Sequence, residues 1–333
     1  MKKPNLAVLG ATGVVGSRIL SILEENKVEY NKIKFLASSK SAGKKIMFNG
    51  TEHTVVEATP EAFEGVNIVL ASAGGSTSLK LASEATKRGC VYIDNSSAFR
   101  MEKNVPLVIA GVNDDDLKNH NGIIANPNCS TSQLMLVLKP LNDKYKIKRL
   151  LVSTYQAVSG AGLKAINELK ENVEAFNKGE NFENNAFKKP IAYNVIPQID
   201  VFCENGYTKE EMKVTNETRK ILKHPTLPIT ATAVRVPVTN CHGESINVVF
   251  EKSFKLTDIF NTLKSAPGIV VQDDIENNIY PISSNVNGHD EVFVGRIRKD
   301  FSIKNGLNLW IVADNLRKGA ASNAIQIIEK MIN

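Results

Sequence analysis

Cysteine is scarce in this chain, with four in 333 residues: Cys90, Cys129, Cys203 and Cys241. They form no CxxC pair and no zinc spacing, so a disulfide framework and a metal site are not expected, and a reducing compartment is. Long apolar runs are missing too. Leu6-Ala7-Val8-Leu9 behind Met1-Lys2-Lys3 is too short for a signal peptide. No stretch nears the roughly 18–20 apolar residues of a membrane span, so a cytoplasmic protein without membrane contact is expected. Dense basic blocks are also absent. The 41 basic and 35 acidic residues leave a net charge of only +6, dispersed along the chain, which argues against a nucleic-acid partner. A small anionic substrate suits so modest an excess. Apolar residues are plentiful, at 42%, in a length that predicts two domains.

The two halves differ in style. Up to about residue 130, short apolar strands (Leu6–Leu9, Lys34–Ala37, Asn67–Ala71, Val91–Ile93, Ile123–Ala125) alternate with helical patterns at Val14–Leu23 and Ser76–Lys87. That alternation predicts a parallel sheet of the Rossmann type, covered by helices on both faces. A helix at Ser130–Leu141 follows. Longer strands come after it: Arg149–Val158, Ile229–Val238, Ser245–Glu251, Glu291–Arg298 and Leu307–Ala313. Helices at Leu163–Asn177 and Lys209–Leu222 lie between the first two. This half is expected to be α+β, with one mixed or antiparallel sheet and helices on one face. The final segment, Asn315–Met331, reads as an amphipathic helix. Residues 1–128 with 315–333 are expected to form the dinucleotide-binding domain, and 129–314 the catalytic and dimerisation domain.

Gly10-Ala11-Thr12-Gly13-Val14-Val15-Gly16 follows the first strand and opens a helix. Glycines there allow a tight turn, and a helix N-terminus attracts a pyrophosphate. The second strand ends without the acid that binds a ribose 2′-hydroxyl in NAD sites. Ser38, Ser39, Lys40 and Ser41 stand there instead, followed by Ala42. Hydroxyls and a cation suit a 2′-phosphate, so NADP is the expected cofactor; the other reading is an ordinary polar turn.

Asn126-Pro127-Asn128-Cys129-Ser130-Thr131-Ser132 delivers a cysteine to the first turn of a helix, where free N–H groups favour a thiolate and can bind an oxyanion. A lone cysteine is otherwise usually a small buried hydrophobe, and Cys90, Cys203 and Cys241 fit that description better. A thiolate in a dinucleotide enzyme suggests a thioester formed with a carbonyl substrate, which then exchanges hydride with the nicotinamide. Such chemistry needs a base near the sulfur. His242, in a turn-like segment after an apolar strand, stands first among five histidines; His53, His120, His224 and His289 lie in polar or Pro/Gly-adjacent contexts.

GATGVVG (10–16), SSKSAG (38–43), DNSSAFR (94–100), NPNCSTSQ (126–133), YQAVSGAG (155–162), EEMK (210–213), VRVPVTNCH (234–242) and WIVADNLRKGAA (310–321) occur in this order from end to end. Together they resemble the aspartate-semialdehyde dehydrogenase family. The resemblance implies that β-aspartyl phosphate is reduced by NADPH to the semialdehyde with release of phosphate, on the route to lysine, threonine, methionine and isoleucine. It makes Cys129 the acyl-forming nucleophile and His242 the general acid/base, with Gln156 positioning the histidine and the acyl group. Arg235 would grip the substrate carboxylate and Glu210 its amino group, while Arg100 and Lys213 hold the phosphate near Asn128. Gly10, Thr12, Gly13, Val14, Val15 and residues 38–42 would carry the nucleotide, and Ser159, Gly160 and Asn315 would lie around the nicotinamide. A homodimer is implied, in some members a dimer of dimers.

Three rivals remain in view. A reductase of N-acetylglutamyl phosphate would show a glycine beside the cysteine and no acid for a free amine. A CoA-thioester reductase would not need Arg100 and Lys213. A non-enzymatic paralogue would have lost the nucleophile or the base. One geometric demand also follows. Arg235 and His242 are seven residues apart and would face opposite sides of one ideal strand, so Pro237 and the Thr239-Asn240 turn must break it if both are to reach one site.

Overall fold

A computed structural model describes residues 3–332; Met1, Lys2 and Asn333, which the expected first domain includes, lie outside the described residues. The chain divides into two compact units. One runs to Asn128 and takes in the segment from Ala320 onward, and the other is Cys129–Gly319.

The first unit contains β1 (Asn5–Leu9), α1 (Val14–Glu25), β2 (Lys32–Ala37), the hairpin β3 (Lys45–Phe48) and β4 (Thr51–Thr54), β5 (Val56–Glu57), β6 (Ile68–Ala71), α2 (Gly75–Lys87), β7 (Val91–Asp94) and β8 (Ile123–Ala125). Its main sheet is wholly parallel in the order β5-β2-β1-β6-β7-β8. A strand covered on both faces needs an unbroken apolar run, and β6 is buried at all four positions. Leu6 and Val8 face the core shared with α1 and the last helix, while Ala7 and Leu9 face α2. The hairpin is absent from the sequence-based expectation. Asn49 and Gly50 turn it with positive φ at both positions, and Phe48 packs edge-on against Phe35.

The second unit contains α3 (Cys129–Tyr145), β9 (Ile147–Gln156), α4 (Leu163–Lys178), α5 (Lys209–Ile221), β10 (Ile229–Arg235), β11 (His242–Phe250), α6 (Leu256–Ser265), β12 (Ile269–Val271), the single turn α7 (Ser283–Val286), β13 (Val292–Asp300) and β14 (Gly306–Ala313). Its sheet is mixed, in the order β10-β9-β11-β14-β13-β12. β10 runs parallel to β9, and β11 antiparallel to it. Helix α3 packs against β9, β11, β13 and β14.

Four expected boundaries are corrected. β9 stops at Gln156 rather than Val158, because residues 158–161 coil into a short helical turn. β10 stops at Arg235 rather than Val238, since Pro237 has no N–H for the ladder. β11 starts at His242, not Ser245, so this histidine opens a strand instead of sitting in a turn. The last helix, α8 (Ser322–Ile332), starts well after Asn315, behind a wide turn at Arg317–Ala321. The Asn315 side chain is engaged with Ser159 and Cys241 in the second unit, and the chain returns to the first unit at Ala320.

Candidate active site

In the first unit, the loop after β1 is fastened to the end of β2: the N–H groups of Gly10 and Ala11 both donate to the Leu36 carbonyl. Gly16 lets α1 press onto this loop, because a Cβ there would lie 2.0 Å from the Gly10 carbonyl oxygen. The N-cap of α1, Gly13, supplies no side-chain cap. The first-turn N–H groups are thus left for a pyrophosphate, which is the fit a dinucleotide requires. Thr12, Val14 and Val15 border the same turn. Ser38, Ser39 and Lys40 are exposed just beyond β2, with Ser41 and Ala42 half-buried behind them. Arg100 is buried, held by the backbone carbonyls of Asn95 and Asn126, each at 2.8 Å. Asn128 is buried and ends the unit.

In the second unit the sheet topology does the assembling. β9 and the parallel β10 end together, Arg235 opposite Gln156. Antiparallel β11 begins at that same end, with Gly243 opposite Tyr155. Residues distant in sequence therefore meet at one end of one sheet face. The demand that Arg235 and His242 not share a strand is met by the break at residues 236–241. Cys241 in that break has φ +72° and donates its N–H to Asn315 Oδ1 at 3.0 Å.

The backbone of one residue, Ala157, ties the histidine and the arginine together. The Ala157 N–H donates to His242 Nδ1 at 3.0 Å, and Arg235 donates to the Ala157 carbonyl at 2.7 Å. His242 is fully buried; burial first, and then the Arg235 charge, hold its pKa well below the ordinary imidazole range. A neutral ring whose Nδ1 accepts a hydrogen bond carries its proton on Nε2. That nitrogen faces Gly160, where a Cβ would stand 3.2 Å from it and 3.1 Å from an Arg235 nitrogen. Glycine at 160 keeps open the space in front of both groups.

Arg235 is itself buried, which lowers its pKa, while Glu210 and a thiolate at Cys129 favour its charged form. The Gln156 amide donates to Glu210 at 3.1 Å and accepts from Thr154. The hydrogen bond to His242 Nδ1 comes from the next residue's backbone N–H. Glu210 and Asp200 both accept from Lys213, at 3.1 and 2.9 Å. Burial works against that ammonium, but the two carboxylates outweigh it and raise its pKa. Ser159 exchanges hydrogen bonds with Asn315.

Cys129 opens α3, partly accessible, as a nucleophile must be. Cys90 is buried with its thiol directed at the carbonyls of Phe63 and Val66. Burial pushes the Cys241 thiol up to about 12.

Other contributors carry little signal in the sequence. Gly319 lies so close to Cys129 that a Cβ on it would stand 2.7 Å from the cysteine Cβ. Glu168, buried on α4, accepts the backbone N–H groups of Asn185, Ala186 and Phe187. That loop sets the Phe187 ring 5.9 Å from the Arg235 guanidinium. Among the described residues no cluster suits a metal ion, and no helix is long and apolar enough to cross a membrane.

Residues 5–120 match the semialdehyde dehydrogenase NAD binding domain, and residues 138–318 the semialdehyde dehydrogenase dimerisation domain. Aspartate-semialdehyde dehydrogenase of Bacillus subtilis (strain 168) is 50% identical, with 98% of this chain and 97% of that protein covered. The same enzyme of Aquifex aeolicus (strain VF5) is also 50% identical, over 98% and 97%. Among solved structures, aspartate semialdehyde dehydrogenase II complexed with ASA from Vibrio cholerae superposes with a TM-score of 0.97 at 41% identity, covering 100% of this chain and 99% of that one. The Candida albicans enzyme with NADP superposes with a TM-score of 0.79 at 25% identity, covering 99% of each chain. By its sequence from end to end, and by a fold that brings a helix-opening cysteine, a buried histidine and a buried arginine into one unit, this chain belongs to the aspartate-semialdehyde dehydrogenase family.

Proposed function

We propose that this chain converts L-4-aspartyl phosphate to L-aspartate 4-semialdehyde in the cytoplasm, with Cys129 as nucleophile, on the route to lysine, threonine, methionine and isoleucine. The observation that carries the reading is the convergence of Arg235, His242 and Glu210 in the unit that Cys129 opens. Cys129 attacks the acyl carbon and the C–O bond to phosphate breaks, leaving a thioester on sulfur. NADPH, when bound along the loop after β1, supplies the hydride. The positive end of the α3 dipole and the proton on His242 Nε2 stabilise the oxyanion that develops at the acyl carbon. This is the acid half of the role expected for the histidine. The C–S bond then breaks, returning the thiolate and releasing the aldehyde. Arg235 takes the substrate carboxylate in a planar fork, and Glu210 takes its ammonium. Arg100, Lys213 and Asn128 serve the phosphate.

The test runs the reaction in reverse, as phosphate-dependent NADP reduction with aspartate semialdehyde or N-acetylglutamate semialdehyde. Turnover with the first alone is expected, since an acylated amine has no charge to offer Glu210. Turnover with the second alone refutes the reading. In the same assay kcat/KM is expected to be higher with NADP than with NAD, through Ser38, Ser39, Lys40 and Ser41. Equal values, or a preference for NAD, would reduce residues 38–41 to an ordinary turn.

The active form is a homodimer. The sheet face turned away from α3 leaves Tyr155 exposed, packed against Trp310 with ring centroids 5.5 Å apart. Pro237, Tyr280 and Ile282 border a hollow on that face. A second copy related by a two-fold axis would cover it. Sedimentation at micromolar concentration is expected to give about twice the chain mass. A fully active monomer overturns this.

A further inference from the structure

The second unit buries one more titratable group beside His242, and the reaction as described leaves it unused. Glu244 is fully buried, two residues along β11 and so on the same face of the strand as His242. Its neighbours across the sheet are Thr154 on β9 and Ile311 on β14. The polar groups that act on its carboxyl are Ser130 and Gln133, both fully buried in the first turns of α3. Gln133 is committed on one side: its Nε2 donates to the backbone carbonyl of His242 at 3.3 Å. Its Oε1 is buried with no hydrogen-bond partner, and the Glu244 oxygens likewise fall outside strict hydrogen-bond geometry.

We propose that Glu244 is a positioning residue for the reaction, a buried carboxyl group that locks the first turns of the Cys129 helix to the strand opened by His242. The inference rests on the roles given above to Cys129 and His242. The open acceptor on Gln133 needs a donor. An ionised carboxylate offers none, whereas a carboxylic acid offers its O–H and keeps lone pairs for the Ser130 hydroxyl. The groups facing it from β9, β14 and α3 carry no charge, and His242 on its own strand is neutral. A charge at this place would be desolvated without a partner. Burial accordingly raises the Glu244 pKa well above the ordinary carboxylate range. The chain of contacts then runs from the nucleophile's helix through Ser130, Glu244 and Gln133 to the backbone of the histidine. Loss of the acid lets the sulfur and the imidazole drift relative to each other while the carboxylate and amine contacts of the substrate stay in place.

The experiment compares Glu244→Gln and Glu244→Leu with the unaltered enzyme by steady-state kinetics, iodoacetamide alkylation of Cys129, and melting between about pH 5 and about pH 8. Glu244→Leu is expected to lower kcat about 100-fold, the scale of a 1 Å misplacement, with little change in KM for the semialdehyde. Its alkylation rate should shift as well. Glu244→Gln, whose amide can still donate to Gln133, should restore most of kcat. A raised pKa in the folded state means that the unaltered protein loses stability as pH rises above the unfolded value near 4.5. Its Tm should therefore fall relative to that of the non-titrating Gln variant toward pH 8. An unchanged kcat in Glu244→Leu, a Gln variant as impaired as Leu, or a Tm difference independent of pH overturns the proposal. If the Leu variant does not fold, the Gln comparison decides alone. If the chain turns over no aspartate semialdehyde, alkylation and melting still test Glu244 apart from that reading.

Discussion

Replacing Cys129 with alanine is expected to lower turnover by at least about four orders of magnitude, the scale seen when a nucleophile that acts as a unit with its partners is removed. KM can change little, because Arg235 and Glu210 would still hold the substrate. Mass spectrometry of enzyme treated with substrate should place the acyl group on the Cys129 peptide. The other thiols are poor competitors. Cys90 is sealed in the first unit with its pKa raised by burial, Cys241 is buried and pushed up to about 12, and Cys203 lies in an irregular segment with no helix to activate it. An adduct on any of these would sink the assignment.

Arg235→Leu is expected to cost on the order of 2–4 kcal/mol in kcat/KM, the range for removing one charged partner of a buried hydrogen-bonded pair. The loss should divide in a characteristic way. Losing the fork that holds the substrate carboxylate raises KM for the semialdehyde. Losing the hydrogen bond to the Ala157 carbonyl loosens the residue whose N–H sets the His242 ring, and this lowers kcat. The apparent KM for phosphate should move mainly in Arg100 and Lys213 variants. If phosphate affinity falls most in Arg235→Leu, the two anion sites have been interchanged.

The helix-opening position of Cys129, the proposed nucleophile, is legible because its signal is local: a Pro-containing turn, a cysteine, then a helix. The glycine loop was legible for the same reason. The break between Arg235 and His242 could be demanded in advance from strand geometry and Pro237. Strand ends were read less well. Ala157 and Val158 look as apolar as the strand before them, and only the contacts of the following turn decide where pairing stops. Ala157 acts through its backbone, which leaves no mark on residue type. Glu244 was missed because a charged residue in a strand is ordinarily read as facing solvent. Its place in the alternation, between His242 and the buried Ile246, was the available clue. Glu168 and Phe187 act through a loop whose course the sequence does not reveal.

Ala321, Ala324, Ile325, Ile327 and Ile328 fill the same core as Leu6, Val8 and Ile19, yet the whole second unit is threaded between them. During synthesis the β-strands of the dinucleotide-binding unit emerge before the second unit, and the helix that completes their cover emerges after it. The second unit is continuous in sequence and can close as soon as its own final strand appears. Meanwhile the sheet face that carries Leu6 and Val8 has α1 over it but not α8, and it presents bare apolar surface to chaperones and to other nascent chains. The core of the first unit can therefore be completed only once the whole of the second unit has been synthesised.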